Sequence, residues 1–232
     1  MSGGLKLDNI IFTGRTYDEY VRMFNLSQDV LATNAFFVCP GGASSFTAQA
    51  TKNGYQVRAG DILYGLSKGE LAYHGQTSTV TTRSRMKDVV DGYNWEEFGD
   101  VEGLLRERTH SLLEFLSDYE KGLEAKRYIQ CTLPHLPLAD GAVDIVLSDH
   151  LLFAYPQFFD YKFHLDSIEE MVRVSKKEVR LFPLISSATG TRPPFFDDVI
   201  RHLNELGFKT AIEPTPKYHF QVGSNELLRI QK

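Results

Sequence analysis

The residue types with the clearest chemical content gather around one turn. Cys39-Pro40-Gly41-Gly42-Ala43-Ser44 follows a short apolar run, and Asp61 lies 19 residues beyond Gly42, at the end of the next such run. Glycines in a turn let the backbone approach a ligand, because no Cβ stands in the way. A carboxylate at the end of the following strand can accept both hydroxyls of a ribose, so the two features together read as a nucleoside site more than as a packing turn. Asp149 and His150 close a later apolar run. An unperturbed imidazole titrates near pH 6.5, which suits proton removal from a hydroxyl, an amine or an acid. The competing reading is that His150 only shapes the site. Tyr155, Tyr161 and His164 follow, and either line a pocket for a second substrate or fill the core. Cys39 reads as a small buried residue beside the turn. His74, His110, His135, His202 and His219 have no metal-like spacing, so no metal site is expected.

Strands and helices must position these groups. Thr16 and Glu19 have the spacing of a capping box, and Tyr17, Tyr20, Val21 and Phe24 then share one helical face. Ala35–Cys39 reads as a buried strand, Ser44–Ala50 as a helix stopped at Gly54, and Tyr55–Ala59, running to Asp61, as a second strand: a βαβ unit. Further strands are expected at Arg127–Cys131, Val143–Ser148, Glu178–Leu184 and Phe208–Ile212. The last is expected at Tyr218–Val222 and Glu226–Ile230, interrupted at Gly223-Ser224. Helices with inward Leu165, Ile168, Met171 and Val172, then Phe196, Val199, Ile200, Leu203 and Leu206, fall between them. Strands alternating with helices imply a parallel sheet covered on both faces. Glu213–Lys217 is too short for a parallel crossover, so the last strand must run antiparallel. The expected fold is thus α/β: a Rossmann-like, seven-stranded, mostly parallel sheet with a terminal antiparallel strand.

Residues 66–124 form a helical insert after the second strand, with Val101, Leu104, Leu105, Leu112, Phe115, Leu116, Tyr119 and Leu123 in a stripe that Arg108 interrupts. Gln76–Thr82 is polar and β-branched and reads as a mobile loop. Residues 66–95 are expected to act as a lid hinged at Gly65, Gly69, Gly75 and Gly92. The alternative is that Tyr73, Tyr93, Trp95 and Phe98 pin them to the domain.

Composition bounds the partners. The chain of 232 residues is read as one domain, 1–232, with 42% hydrophobic and 24% charged residues. Lys plus Arg number 25 against 30 Asp plus Glu, a net charge of −5, which disfavours a nucleic-acid partner. No apolar run is long enough to span a membrane. The opening MSGGLKLDN carries no apolar secretion core, and the two cysteines read as free thiols of a reducing compartment, so a cytoplasmic location is expected.

The glycine turn with Asp61, the stretch Leu136–Val146 leading into the fourth strand, and the antiparallel terminal strand together resemble the class I S-adenosylmethionine-dependent methyltransferases. The resemblance runs from Gly14 to the last strand. Within the class the chain looks like a bacterial branch with a Cys-Pro-Gly-Gly-x-Ser-Ser-Phe turn. It implies S-adenosyl-L-methionine as cofactor and a small-molecule methyl acceptor. By the same resemblance, Pro40, Gly41, Gly42, Ala43 and Ser44 approach the methionine end, Asp61 and Ile62 the ribose, and Thr132 and Leu133 the adenine. Asp149 and His150 face the sulfonium and the acceptor, with Tyr155 beside His150 as the second catalytic candidate. Arg15, Tyr20 and Met23 close over the site, and Arg15 pairs with the cofactor carboxylate. The family's acid at the end of strand one is Val38 here, and its first glycine is Pro40. The alternative function is therefore cofactor binding without methyl transfer, and Val38→Asp is expected to tighten binding. A nicotinamide dehydrogenase also places an acid after strand two, but no complete Gly-x-Gly-x-x-Gly is present.

Overall fold

Side chains alternate across a strand, and that alternation separates the two layers here. In β1 (Ala35–Val38) and β4 (Val143–Asp149), Phe36, Val38, Ile145 and Leu147 feed one apolar cluster, while Phe37 and Val146 feed another. The computed structural model describes Leu5, Leu7 and residues 9–232. The other opening residues, on which the expected lack of a secretion signal rests, lie outside the described residues.

The remaining strands are β2 (Gln56–Asp61), β3 (Tyr128–Gln130), β5 (Ser175–Phe182), β6 (Lys209–Pro214) and β7 (Glu226–Gln231). All belong to one sheet of order β3-β2-β1-β4-β5-β7-β6. β1 to β5 are parallel, and β7 inserts antiparallel between β5 and β6. The fold is the expected Rossmann-like, mostly parallel sheet. Because β1 pairs with both β2 and β4, the chain reverses its progress across the sheet there, and a crevice opens at the carboxyl ends of these strands.

One face carries α1 (Tyr17–Met23), α3 (Phe46–Lys52) and α5 (Val101–Glu124); the other carries α6 (Tyr161–Val174) and α7 (Phe196–Glu205). The capping box at Thr16 and Glu19 is present in both directions. A short α2 (Gln28–Thr33), capped by Ser27, leads into β1 and was not legible in the periodicity.

Three expectations need correction. Gln76–Thr82 is not a loop but the middle of α4 (Lys68–Met86), which starts from a Ser67–Glu70 capping box. Thr79 and Thr82 turn their hydroxyls onto the carbonyls of Gly75 and Ser78, and Gly75 packs where a Cβ would stand 2.6 Å from Leu112. No apolar stripe marks this helix because part of its inner surface faces a cavity: Thr77, Ser78, Thr81 and Thr82 line it. The second correction is β7, which begins at Glu226. Tyr218–Val222 instead folds inward, with Tyr218 buried and Phe220 packed against Tyr93, Trp95 and Phe98. The third is Val38. It is 1% exposed and points into the core cluster, so Val38→Asp would bury an unpaired carboxylate and would not furnish a cofactor contact.

Candidate functional site

A cavity of about 900 Å³ opens at the carboxyl ends of β1 to β4. Pro40, Gly41, Gly42 and Ser44 follow β1, Asp61 and Ile62 follow from β2, Thr132 and Leu133 from β3, and Asp149 and His150 from β4; all line the cavity, as do Arg15, Tyr20 and Tyr155. Two of the expected residues do not line it. Met23 is buried in the core cluster, and Ala43 is buried with its amide on the Thr13 carbonyl. Tyr161 lies at the edge of the Phe195 ring, and His164 is wholly buried between Phe153 and Phe195.

The glycine turn is held from several sides. Gly41 donates its amide to the Gly60 carbonyl, and the Tyr64 hydroxyl donates to the Gly42 carbonyl. The segment ahead of α1 lies across the turn. A Cβ on Gly14 would sit 1.9 Å from the Ala43 carbonyl oxygen, and one on Gly42, whose φ is +54°, would sit 2.5 Å from the Thr13 oxygen. The glycines therefore admit a neighbouring chain segment as closely as any ligand.

Asp61 is 6% exposed and accepts the Gly42 and Leu63 amides at 2.9 and 3.0 Å, one on each carboxylate oxygen. Burial raises its pKa, and the two amides pull the other way. Each oxygen retains a second lone pair for a hydroxyl donor.

Asp149 ends β4 and is held by Arg15 at 2.9 Å and by the Tyr20 hydroxyl. Burial opposes its ionisation, but His150, Arg15 and Tyr20 together hold its pKa below the ordinary value. His150 occupies the left-handed region at φ 46°, where a residue other than glycine is uncommon, and its amide donates to the Phe182 carbonyl. Its Nδ1 lies 3.5 Å from the Asp149 carboxylate and makes no hydrogen bond. Burial, aided by the charge of Arg15, lowers the imidazole pKa to about 4. His150 is thus neutral at pH 7 and less basic than free imidazole.

A second charged group adjoins the first, and its Arg108 and Tyr218 also line the cavity. Arg108 forks onto both oxygens of Glu19 at 2.7 and 2.8 Å, and the Tyr218 hydroxyl donates to the same carboxylate at 3.1 Å. Burial would raise the Glu19 pKa, yet Arg108 and its other partners bring it down to about 2. Sequence reasoning saw Arg108 only as an interruption of a stripe, because its partner lies 89 residues away.

The far end of the cavity is apolar. Leu5, Leu7, Met86, Tyr93, Leu104 and Tyr155 line it and pack into one cluster. Burial pushes the Tyr155 hydroxyl up to about 12, so it stays protonated. Leu5, Leu7, Phe159, Phe163 and Phe220 were missed as lining residues, since an apolar side chain facing a cavity has the same sequence signature as one facing a core. Among the described residues no group of three or more His, Cys, Asp or Glu side chains is placed to hold a metal ion. No helix among them is long and apolar enough to cross a membrane.

Uncharacterized protein MJ0045 of Methanocaldococcus jannaschii is 31% identical over 229 residues, spanning 98% of this chain and 99% of its own length. No family model matches the chain. Magnesium protoporphyrin IX methyltransferase from Synechocystis PCC 6803 with bound S-adenosylmethionine is 12% identical, over 93% of this chain and 77% of its own, with a TM-score of 0.49. An S-adenosylmethionine-dependent methyltransferase from Thermotoga maritima, a possible histamine N-methyltransferase, is 10% identical over 93% and 91%, with a TM-score of 0.43. Both scores lie below 0.5, and the fold stands on the sheet order itself.

Proposed function

We propose, for a chain that belongs to the family of the Methanocaldococcus jannaschii protein MJ0045, S-adenosylmethionine-dependent methyl transfer to a small apolar acceptor. The observation that carries the reading is Asp61. It is a buried carboxylate at the end of β2, beside the point where the sheet reverses order, with its free lone pairs on a cavity large enough for two ligands. Ribose hydroxyls donate well to such a group. Arg15 and the apolar β3 loop at Leu133, which also line the cavity, suit a nucleoside joined to a charged arm.

When bound, the cofactor supplies an electrophilic methyl group on its sulfonium. Asp61 holds the ribose, with Ile62 beside it, and Thr132 and Leu133 flank the base. Tyr155, Phe159, Phe163 and Phe220 enclose the acceptor and exclude water, which favours positioning over acid–base chemistry. His150 stays unprotonated at neutral pH and lines the cavity beside Asp149. Val38 faces the core, so nothing at that position argues for cofactor binding without transfer. Net charge of −5 and the apolar far wall favour a small molecule over nucleic acid.

Calorimetric titration with S-adenosylmethionine, S-adenosylhomocysteine and NAD tests this reading. The first two are expected to bind and NAD is not. Binding of NAD alone would contradict it.

A further inference from the structure

The sheet ends on β6, and among the described residues no strand pairs with its outer edge. Lys209, Ala211, Ile212 and Pro214 are exposed, and Thr210 and Glu213 are half-buried. An open edge offers its outward N–H and C=O groups to another extended chain. Which groups point outward follows from the ladder. The Thr215 amide donates to the Asn225 carbonyl, which continues the β6–β7 register by one hydrogen-bonded pair. Such pairs alternate with non-bonded ones in an antiparallel ladder. Glu213, Ala211 and Lys209 therefore turn their backbone groups toward β7, and Pro214, Ile212 and Thr210 turn theirs outward. The Pro214 carbonyl fits this parity, since it accepts from the Asn25 side chain, off the ladder. Pro214 has no N–H and its carbonyl is taken, so that end of the edge is closed. Thr210 and Ile212 remain.

These two residues are spaced for a copy of themselves. Turned antiparallel about Ala211, one β6 sets Thr210 opposite Ile212 of another, and each such pair exchanges both of its backbone bonds. The same rotation sets Lys209 opposite Glu213 in the closely spaced pairs, where side chains lie nearest and opposite charges attract. Lys209 makes no ion pair within the described residues, and Glu213 meets Arg229 at 3.3 Å through one oxygen, which leaves the other. Neighbouring registers lose these contacts. Centred on Ile212, the pairing sets Thr210 against Pro214, which cannot donate. Centred on Thr210, it sets Lys209 against Ala211. Ile212, 40% exposed in the single chain, gains cover. The other edge strand, β3, is only three residues long and offers no comparable match.

We propose that β6 is a self-pairing edge: two copies of this chain join antiparallel about Ala211, each Lys209 against the other copy's Glu213, so that two sheets become one. The contact is isologous, so it closes as a dimer and does not grow into a filament. One strand pair buries less than a permanent interface needs, and the dimer is therefore reversible. The proposal is independent of the cofactor reading, since no residue of β6 lines the cavity.

Sedimentation velocity of the full chain over a range of concentrations tests it, together with two variants. The unchanged protein is expected to shift from monomer toward dimer as concentration rises. Lys209→Glu sets like charges opposite each other and is expected to weaken self-association on the order of tenfold. Ala211→Cys reads the register. At the two-fold axis its Cα meets its own copy at about 4.5 Å, within the span of a disulfide. Mild oxidation with diamide is expected to give a covalent dimer of Ala211→Cys and far less of Thr210→Cys, which faces Ile212. The native Cys39 and Cys131 are buried and do not compete. A monomer at every concentration overturns the proposal and leaves the edge to solvent or to a strand of another protein. A dimer that Lys209→Glu does not weaken, or in which Thr210→Cys crosslinks as well as Ala211→Cys, overturns it too, since the copies then meet elsewhere or in another register.

Discussion

At the residue scale, neutrality of His150 has a measurable signature. Its pKa falls from 6.5 to about 4 on folding, so the unfolded chain takes up the proton first as pH drops. Stability is therefore full above pH 6.5 and declines as pH falls from there toward 4. His164 is shifted in the same direction by burial and adds to the slope. Urea midpoints between pH 7 and 5 are expected to fall for the unchanged protein and to fall less for His150→Gln; an identical slope would place His150 in water. Glu19 behaves differently. Its pKa of about 2 means its contribution is intact above its ordinary 4.5 and disappears as pH falls through 2. Glu19→Ala leaves Arg108 buried and unpaired, so a loss of roughly 3–5 kcal/mol at pH 7 is expected in chemical denaturation. A loss below about 1 kcal/mol would mean the pair is hydrated. Asp61 was legible because an acid at a strand end beside a glycine turn is a local pattern. The Glu19–Arg108 pair was not, because ion pairs between distant segments leave no spacing to read.

At the element scale, α4 and the segment after it differ in how they are held. The buried face of α4 is built from Leu71, Gly75, Ser78, Thr82 and Met86, so its large apolar contacts are those of Leu71 and Met86 at its two ends. Tyr93, Trp95 and Phe98 are gathered around Phe220. If residues 66–95 act as a lid, hydrogen exchange is expected to slow across 75–86 when S-adenosylhomocysteine is added, while 93–98 is protected already. Unchanged exchange across 75–86 would make α4 a fixed wall. The segment before α1 makes a similar demand. Gly14→Ala drives a Cβ into the backbone of Ala43, so a loss on the order of 2 kcal/mol or more is expected in thermal or urea unfolding. The strands of this chain were legible from short apolar runs bounded by turns, and α1 from its capping box. The helical state of Gln76–Thr82 was hidden, since a helix facing a polar cavity lacks the apolar period that identifies helices. The inward turn of Tyr218–Val222 was hidden for the opposite reason. Its alternating aromatic pattern suits a strand, and tertiary packing on Tyr93 and Trp95 overrides it.

At the scale of the whole molecule, the sheet order places two buried carboxylates on either side of β1, and the insert covers the same cavity with the α4 hydroxyls and with apolar Met86, Tyr93 and Leu104. Polar groups at the strand ends and an apolar patch of Leu5, Leu7, Met86, Tyr93, Leu104 and Tyr155 are what a nucleoside cofactor and a small apolar acceptor require of one cavity. The central claim is that Asp61 holds the ribose of S-adenosylmethionine at the reversal point of the sheet. Calorimetric titration of S-adenosylhomocysteine into the unchanged protein and into Asp61→Ala tests it most directly. The account predicts saturable one-to-one binding that weakens by about tenfold or more in the variant, the value of one or two charge-assisted hydrogen bonds. An unchanged dissociation constant in a folded Asp61→Ala protein, or no binding to the unchanged protein, would contradict it.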